Sequence, residues 1–356
     1  MITKNNKKPY IIAEAGVNHN GNIEIAKKLI IKAKQVGADA VKFQIFKASK
    51  LATKKSRKAN YQIKNTGKHD TQFKMLKELE LGEKDYFILK NFAKKKKIDF
   101  LTSVFDSSDY NFLKNKLKEK IVKIPSGEIN NIKLLKELDY NNFFIILSTG
   151  MSTLREIIES LNIIAKKIVF KVVKNKIEVI DHKTHKKICK KICVMHCVTD
   201  YPVSDNYANM NAIDTISKLG LFNGYSDHTI GTHSSIIAVS KGAQIIEKHF
   251  TLSKNMKGPD HKASMNPKEF HEYTKILKKT YIMMGSGKKI PQKCEIKNMK
   301  IARKSLVASK TILKGEIFTK DNIAVKRPAG GLSPMLYFNI LGKKSKKKLI
   351  IDSLLK

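Results

Sequence analysis

Short apolar runs alternate with amphipathic, lysine-studded stretches from Tyr10 to Met284. The first run is Tyr10-Ile11-Ile12-Ala13, and the second is Ala40 to Gln44. Between them, Ile23, Ala26, Leu29, Ile30 and Ala33 recur at helical spacing, and Gly37 stops the helix. The same rhythm predicts strands at Asp99–Ser103, Ile121–Ile124, Phe143–Leu147, Cys193–Cys197, Leu221–Phe222 and Ala243–Ile246. Helical patterns follow near Phe73–Leu81, Lys84–Lys97 and Leu154–Ile164, the last with Ser152 as expected N-cap. Strands alternating with helices predict a parallel α/β sheet.

The ends of these strands are polar. They carry Glu14, Lys42, Gln44, Ser103, Lys123, Ser126, Glu128, Ser148, Tyr201, Ser226, His228 and His249. Eight strand candidates with chemistry at their C-terminal ends predict a (β/α)8 TIM barrel. The competing doubly wound sheet calls for a glycine-rich dinucleotide turn after the first strand, and no GxGxxG follows it.

Two stretches break the rhythm. Residues 45–72 form a long polar excursion, a length usually functional or disordered. Residues 166–191 are basic and β-branched, which predicts a solvated hairpin insertion. Beyond Gly287 the pattern changes. The expected organisation is a barrel over 1–287, a polar linker over 288–300 and a small β-rich domain over 301–356. In that domain Ser305–Ala308, Thr311–Glu316 and Ile323–Lys326 are the strand candidates, and its size predicts reliance on a partner.

Composition narrows the function less than it first suggests. The net charge is +39, but nearly all of it is lysine; Arg57, Arg155, Arg303 and Arg327 are the four arginines. Lysine scattered over helix faces, with no nucleic-acid motif, argues against nucleic-acid binding. The N-terminal segment lacks an apolar signal core and no window reaches a membrane-spanning length, so a cytoplasmic protein is expected. Cys189, Cys193, Cys197 and Cys294 lack zinc-site spacing and are expected to be reduced.

For a single histidine, a satisfied core position is the ordinary reading. His228 and His249, however, sit 21 positions apart at the ends of consecutive strands, where both imidazoles can meet over one rim. Such a pair suits a divalent metal with open positions. Lys42, Lys123 and the hydroxyls suit an anionic, phosphorylated substrate. Glu14 and Glu128 can ligate metal, move protons or bind sugar hydroxyls. Together these residues suggest carbon–carbon bond formation between an enolic phosphate and an aldehyde. A metal-dependent aldolase on the same barrel and a non-catalytic anion-binding protein remain alternatives.

The motifs AEAGVNHNG, VKFQ, KIPSGE, LSTGM, GYSDHT, EKHFT, GPDHKAS and KRPAGGLSP, in this order, resemble the sialic acid synthase family. The resemblance spans nearly the whole chain and implies a C-terminal antifreeze-like (SAF) domain. Family members condense phosphoenolpyruvate with an N-acyl hexosamine. By resemblance, His228 and His249 bind manganese or magnesium with Glu14 nearby. Lys42, Ser103, Lys123, Ser126, Ser148, Thr199 and Ser226 face phosphoenolpyruvate. Thr199 stands where some members have asparagine. Gln44, Glu128, Tyr201 and Asp260 face the sugar. Arg327 resembles an arginine that enters the other subunit's site, which implies a domain-swapped homodimer. The 45–72 loop, with Tyr61-Gln62 and Asp70-Thr71-Gln72, resembles the diacetyllegionaminate branch more than the N-acetylneuraminate branch, so the expected sugar is 2,4-diacetamido-2,4,6-trideoxymannose or N-acetylmannosamine; pseudaminate synthesis is the neighbouring alternative.

Overall fold

The computed structural model describes residues 8–67, 70–174 and 176–356. The N-terminal segment before Lys8 lies outside the described residues. The chain divides into two units, the first ending at Gly285 and the second running from Ser286 to Lys356.

In the first unit the strands are β1 (Tyr10–Gly16), β2 (Ala40–Ile45), β3 (Asp99–Val104), β4 (Ile121–Ile124) and β5 (Phe144–Ser148). The hairpin strands β6 (Phe170–Val173) and β7 (Lys176–Val179) follow outside the barrel. Then come β8 (Ile192–His196), β9 (Phe222–Asp227) and β10 (Ile245–His249). Eight parallel strands close a barrel in the order β1-β10-β9-β8-β5-β4-β3-β2.

Side-chain alternation divides the barrel into an inner and an outer core. Inward positions at the lower end of the strands are apolar: Tyr10, Ile12, Ala40, Leu101, Ile146, Cys193, Met195, Phe222 and Ile245 form one buried cluster. Gly224 belongs to this inner set; a Cβ there would stand 2.7 Å from the Ile245 carbonyl. The alternate residues, such as Ile11, Val41, Val122, Ile145, Val194 and Ile246, join the larger core beneath the helices. Continuing the inner parity upward gives Glu14, Lys42, Ser103, Lys123, Ser148, Ser226, Glu247 and His249. One face of every barrel strand except β8 thus passes from apolar floor to polar rim.

Several local expectations are corrected. Ser148 and His249 are the last residues of their strands, because inward polar side chains continue the pairing that the apolar runs begin. The helix Leu154–Ala165 is capped by Thr153, not Ser152; Thr153 accepts from the Glu156 amide and Glu156 closes a capping box. The 45–72 excursion is folded, with short helices at Ala48–Leu51 and Asn60–Thr66 leading into Gln72–Glu78. Within the 166–191 insertion, Phe170–Val173 and Lys176–Val179 pair as an antiparallel hairpin, but His182–Ile188 is a helix. All four cysteines are free, and no helix among the described residues is long and apolar enough to cross a membrane.

In the second unit β11 (Ser305–Ala308) pairs antiparallel with β12 (Ile323–Lys326). Thr311–Glu316 is not a strand; it makes one isolated bridge, Ile312 with Leu349. The expected linker contains the helix Ile296–Ala302. Leu306, Ala308, Ile312, Phe318, Ile323, Leu349 and Leu355 give this unit its own small core.

The inner cluster makes a stability prediction. Ile146→Ala should destabilise the barrel by about 2–5 kcal/mol in urea denaturation, because the closed barrel cannot collapse onto the cavity. Ile168→Ala, at a 59% exposed position, should change it by about 0.5 kcal/mol or less.

Candidate active site

A cavity of about 390 Å³ opens at the C-terminal ends of the strands. It is lined by Glu14, Lys42, Gln44, Ser103, Lys123, Ser126, Glu128, Ser148, Thr199, Tyr201, Ser226, His228, His249 and Asp260. Arg327 is the remaining expected residue. It lies in the second unit, exposed and directly after β12, and is not among the lining residues. A larger hollow of about 780 Å³ beside the hairpin contains none of the strand-end residues.

At the base of the cavity lies an ionic layer. Lys42 Nζ is 2.9 Å from Glu14 Oε2 and 3.5 Å from Glu247 Oε1, and it donates to Ser103 Oγ at 2.8 Å. Lys123 Nζ meets Glu247 Oε2 at 2.9 Å. Ser226 Oγ donates to Glu247 Oε1 at 3.2 Å. Strand register makes these contacts, since Glu14 lies level with both Lys42 and His249, and Ser226 with Glu247. Burial disfavours the Glu247 charge, but Lys123 and Lys42 outweigh it and hold the carboxyl at about 2. Burial opposes the Lys42 charge too, and Glu14 with Glu247 reverses this, raising its pKa. Glu14 shares one lysine and faces Glu247; burial leads in raising its pKa. Sequence reasoning missed Glu247. Its signal was parity, two residues before His249 on the same strand.

Above this layer stand hydroxyls with spare capacity. Ser126 Oγ accepts from the Gly150 amide at 3.0 Å and sits 3.1 Å from Cys197 Sγ. A Cβ at Gly150 would lie 2.2 Å from Thr199 Oγ1, so only glycine fits. Thr199 Oγ1 is buried without a hydrogen-bond partner. Unpartnered buried groups are rare in native proteins, and here they lie where a ligand can meet them.

The histidines come together as expected, with ring centroids 5.6 Å apart. His228 Nδ1 lies 2.6 Å from the Val198 carbonyl, so that nitrogen carries the proton. Nε2 is left with a lone pair, 3.3 Å from Ser226 Oγ. His249 Nδ1 is buried without a partner. Burial pushes His228 down to about 4; burial, then His228, pushes His249 down to about 3. Both rings are therefore neutral at pH 7, the form that ligates metal. No cage of three or more acidic, His or Cys residues exists among the described residues. Two neutral imidazoles beside Glu14 fit a divalent ion that keeps open positions for substrate. Behind His228, Asp227 accepts from the Thr229 amide and from Ser234, Ser235 and Lys248, which fixes the turn.

The remaining side holds Gln44, Glu128, Tyr201 and Asp260. Gln44 Nε2 donates to Glu14 Oε1 at 3.1 Å, and Glu128 accepts from Asn131 at 2.7 Å. The Tyr201 ring lies 4.2 Å from His228, 5.4 Å from His249 and 5.0 Å from Tyr61. The Asp260 loop is braced by the glycine-punctuated turn after β1. Asn18 donates to Ser264 Oγ at 2.9 Å, and Ser264 donates to the Asp260 carbonyl at 2.6 Å. Tyr61, Gln62 and Gln72 of the 45–72 excursion also line the cavity.

The comparisons with known proteins place this barrel and the small unit that follows it in the class of sugar-acid synthases. Residues 29–289 match the NeuB family and residues 303–356 the SAF domain; the chain belongs to the NeuB family. The N,N'-diacetyllegionaminic acid synthase of Campylobacter jejuni is 46% identical over 98% of this chain and 99% of its own length. The enzyme of that name from Legionella pneumophila is 38% identical over 94% of this chain and 90% of its own. The crystal structure of N-acetylneuraminic acid synthetase from Leptospira borgpetersenii, in complex with citrate, shares 31% identity at a TM-score of 0.67. It covers 82% of this chain and 90% of that one. The chain is thus an enzyme of the nonulosonic acid synthase kind.

Asp260 yields a pH prediction. Burial, then Glu14, pushes its carboxyl up to about 7 from 3.8. The folded state therefore holds a proton that the unfolded state releases, and stability from this group is lost as pH rises through about 7. Without substrate or added metal, Asp260→Asn should gain on wild type from about pH 4 to about pH 8, by on the order of 2–4 kcal/mol. Urea denaturation across that range checks it; a pH-independent difference would contradict the assignment.

Proposed function

We propose that this enzyme condenses phosphoenolpyruvate with the open-chain aldehyde of an N-acyl mannosamine, giving a nine-carbon 2-keto acid and phosphate. The sugar is 2,4-diacetamido-2,4,6-trideoxymannose and the product N,N'-diacetyllegionaminate. Identity of 46% to a protein named for that product supports this choice over N-acetylmannosamine. The observation that carries the reading is the pairing of two buried ammonium groups with two neutral imidazoles at one rim.

Lys42 and Lys123 hold the phosphoenolpyruvate anion, with Ser103 beside Lys42. Ser126, Ser148, Thr199 and Ser226 receive the phosphate oxygens, and the tight Gly150 turn leaves room for them. Manganese or magnesium, held by His228 and His249 with Glu14 near, supplies Lewis-acid polarisation of the aldehyde when bound. Gln44, Glu128 and Tyr201 orient the sugar. Asp260, largely protonated below its raised pKa, donates a hydrogen bond to a sugar oxygen. C3 of phosphoenolpyruvate attacks the aldehyde carbon, water adds at C2, and the C2–O bond to phosphate breaks. The enzyme acts as a cytoplasmic, domain-swapped homodimer in which Arg327 grips the acyl carbonyl in the partner's site. In a chain this rich in lysine, an arginine on an exposed loop is chosen for its planar fork of donors.

Phosphate release should require phosphoenolpyruvate, the diacetamido sugar and a divalent metal together. His228→Ala and His249→Ala should abolish it without loss of helical circular dichroism, and full turnover by the chelator-treated enzyme would refute the metal role. Arg327 is tested by subunit mixing. Arg327→Ala and His249→Ala chains, inactive alone, should regain activity when exchanged into heterodimers, since one site then holds both intact groups. Confirmed exchange with no activity would place Arg327 outside the partner's site.

A further inference from the structure

One wall of the cavity differs in kind from the rest. Leu51, Met75, Leu76 and Leu79, with Val17 and Phe105, line it without a polar side chain among them. These residues pack together as a separate apolar cluster, apart from both barrel cores. Its buried members are Val17, Phe46, Met75 and Leu79, the last two 4% and 7% exposed. Leu51 and Leu76 are only half-buried, and the cavity is what they border. All four of the Leu and Met side chains come from the segment between β2 and β3 rather than from the barrel strands.

The wall is built before a ligand arrives. Glu80 accepts from the Ala48 amide at 2.6 Å and pairs with Lys77 at 2.9 Å, which locks Ala48–Leu51 against Gln72–Glu78. The Gln72 amide donates to the Ser56 carbonyl at 3.0 Å. Asn65 donates to the Pro259 carbonyl at 2.6 Å, tying the segment to the loop that carries Asp260. Buried Lys58 holds Thr66 and Asp70 from within. A flexible flap would need none of these ties.

A sugar hydroxyl laid on this wall would lose water and gain no partner. A methyl group there would be buried favourably. We propose that Leu51 and Leu76 are specificity-determining residues that receive a hydroxyl-free edge of the sugar, the methyl of a 6-deoxy carbon or of a second acylamino group. The inference rests on the synthase reading above and adds the residues that choose among N-acyl sugars.

The test uses the full-length, manganese-loaded enzyme and phosphate release. Wild type, Leu51→Gln, Leu76→Gln and Leu76→Met are each given 2,4-diacetamido-2,4,6-trideoxymannose and N-acetylmannosamine. The kcat/KM ratio between the sugars is measured, with the KM for phosphoenolpyruvate as a second readout. The glutamine variants should lose about 10- to 100-fold of the preference for the diacetamido sugar, while phosphoenolpyruvate KM stays within about twofold. Leu76→Met, similar in volume and apolar, should keep the preference. A parallel fall for both sugars, or an unchanged ratio, would make the wall merely structural and overturn the proposal. Wild type preferring N-acetylmannosamine would overturn it while leaving the synthase intact. No release with any sugar by wild type would remove the synthase reading and the proposal together.

Discussion

The Lys42–Glu247–Lys123 bridge is the contact on which the site depends. Each oxygen of one buried carboxylate faces one ammonium group, at 3.5 and 2.9 Å. Charges this deep are costly unless paired and hydrogen-bonded. Here Glu14, Ser103 and Ser226 take up further valences, and the apolar floor below excludes water. Remove Glu247 and two like charges would face each other in a dry barrel. With it in place the lysines are fixed on separate strands; Lys42 is fully engaged by Glu14, Ser103 and Glu247, whereas Lys123 has Glu247 as its one close oxygen partner among the described residues. Other atoms of the same cavity are left unsatisfied: Thr199 Oγ1 and His249 Nδ1 are buried and unpartnered. The cavity thus sets paired charges beside polar atoms with capacity to spare.

Much of this was legible in the sequence because a barrel strand is a two-period object. Lys42 and Gln44 share one face by the two-period rule, and the polar strand ends together gather twelve expected residues around one cavity; Thr199 and Asp260, which also line it, were expected only from the family resemblance. Strand ends were less legible. Polar inward residues such as Ser148 and His249 look like loop by hydropathy, yet they hydrogen-bond as strand. Glu247 escaped notice because a glutamate between an isoleucine and a lysine resembles a solvated rim; only its parity with His249 reveals the interior.

The 45–72 excursion and the second unit were least legible, for a shared reason. Neither is organised by period. The excursion is held by single side-chain to backbone ties, such as Asn65 to Pro259, that span 194 positions and leave no local trace. The second unit uses an isolated bridge where a strand was expected at Thr311–Glu316. Contacts of this kind are set by tertiary geometry, and composition alone makes such stretches look like loop.

Strand β10 carries charge on both faces, and β9 meets it with Ser226 on one and Asp227 on the other. Ser226 and Glu247 point inward to the lysines, while the next residues, Asp227 and Lys248, form a 3.0 Å ion pair on the helix side. Sliding β10 by one residue against its neighbours would turn every side chain over. Lys248 would then enter the barrel beside Lys42 and Lys123, a third ammonium with no carboxylate from that strand, and Glu247 would be stranded outside near Asp227. A mispaired barrel would therefore be rejected electrostatically as it closed. The two faces act together as an error-detecting code for strand alignment, written in part in residues that line the cavity.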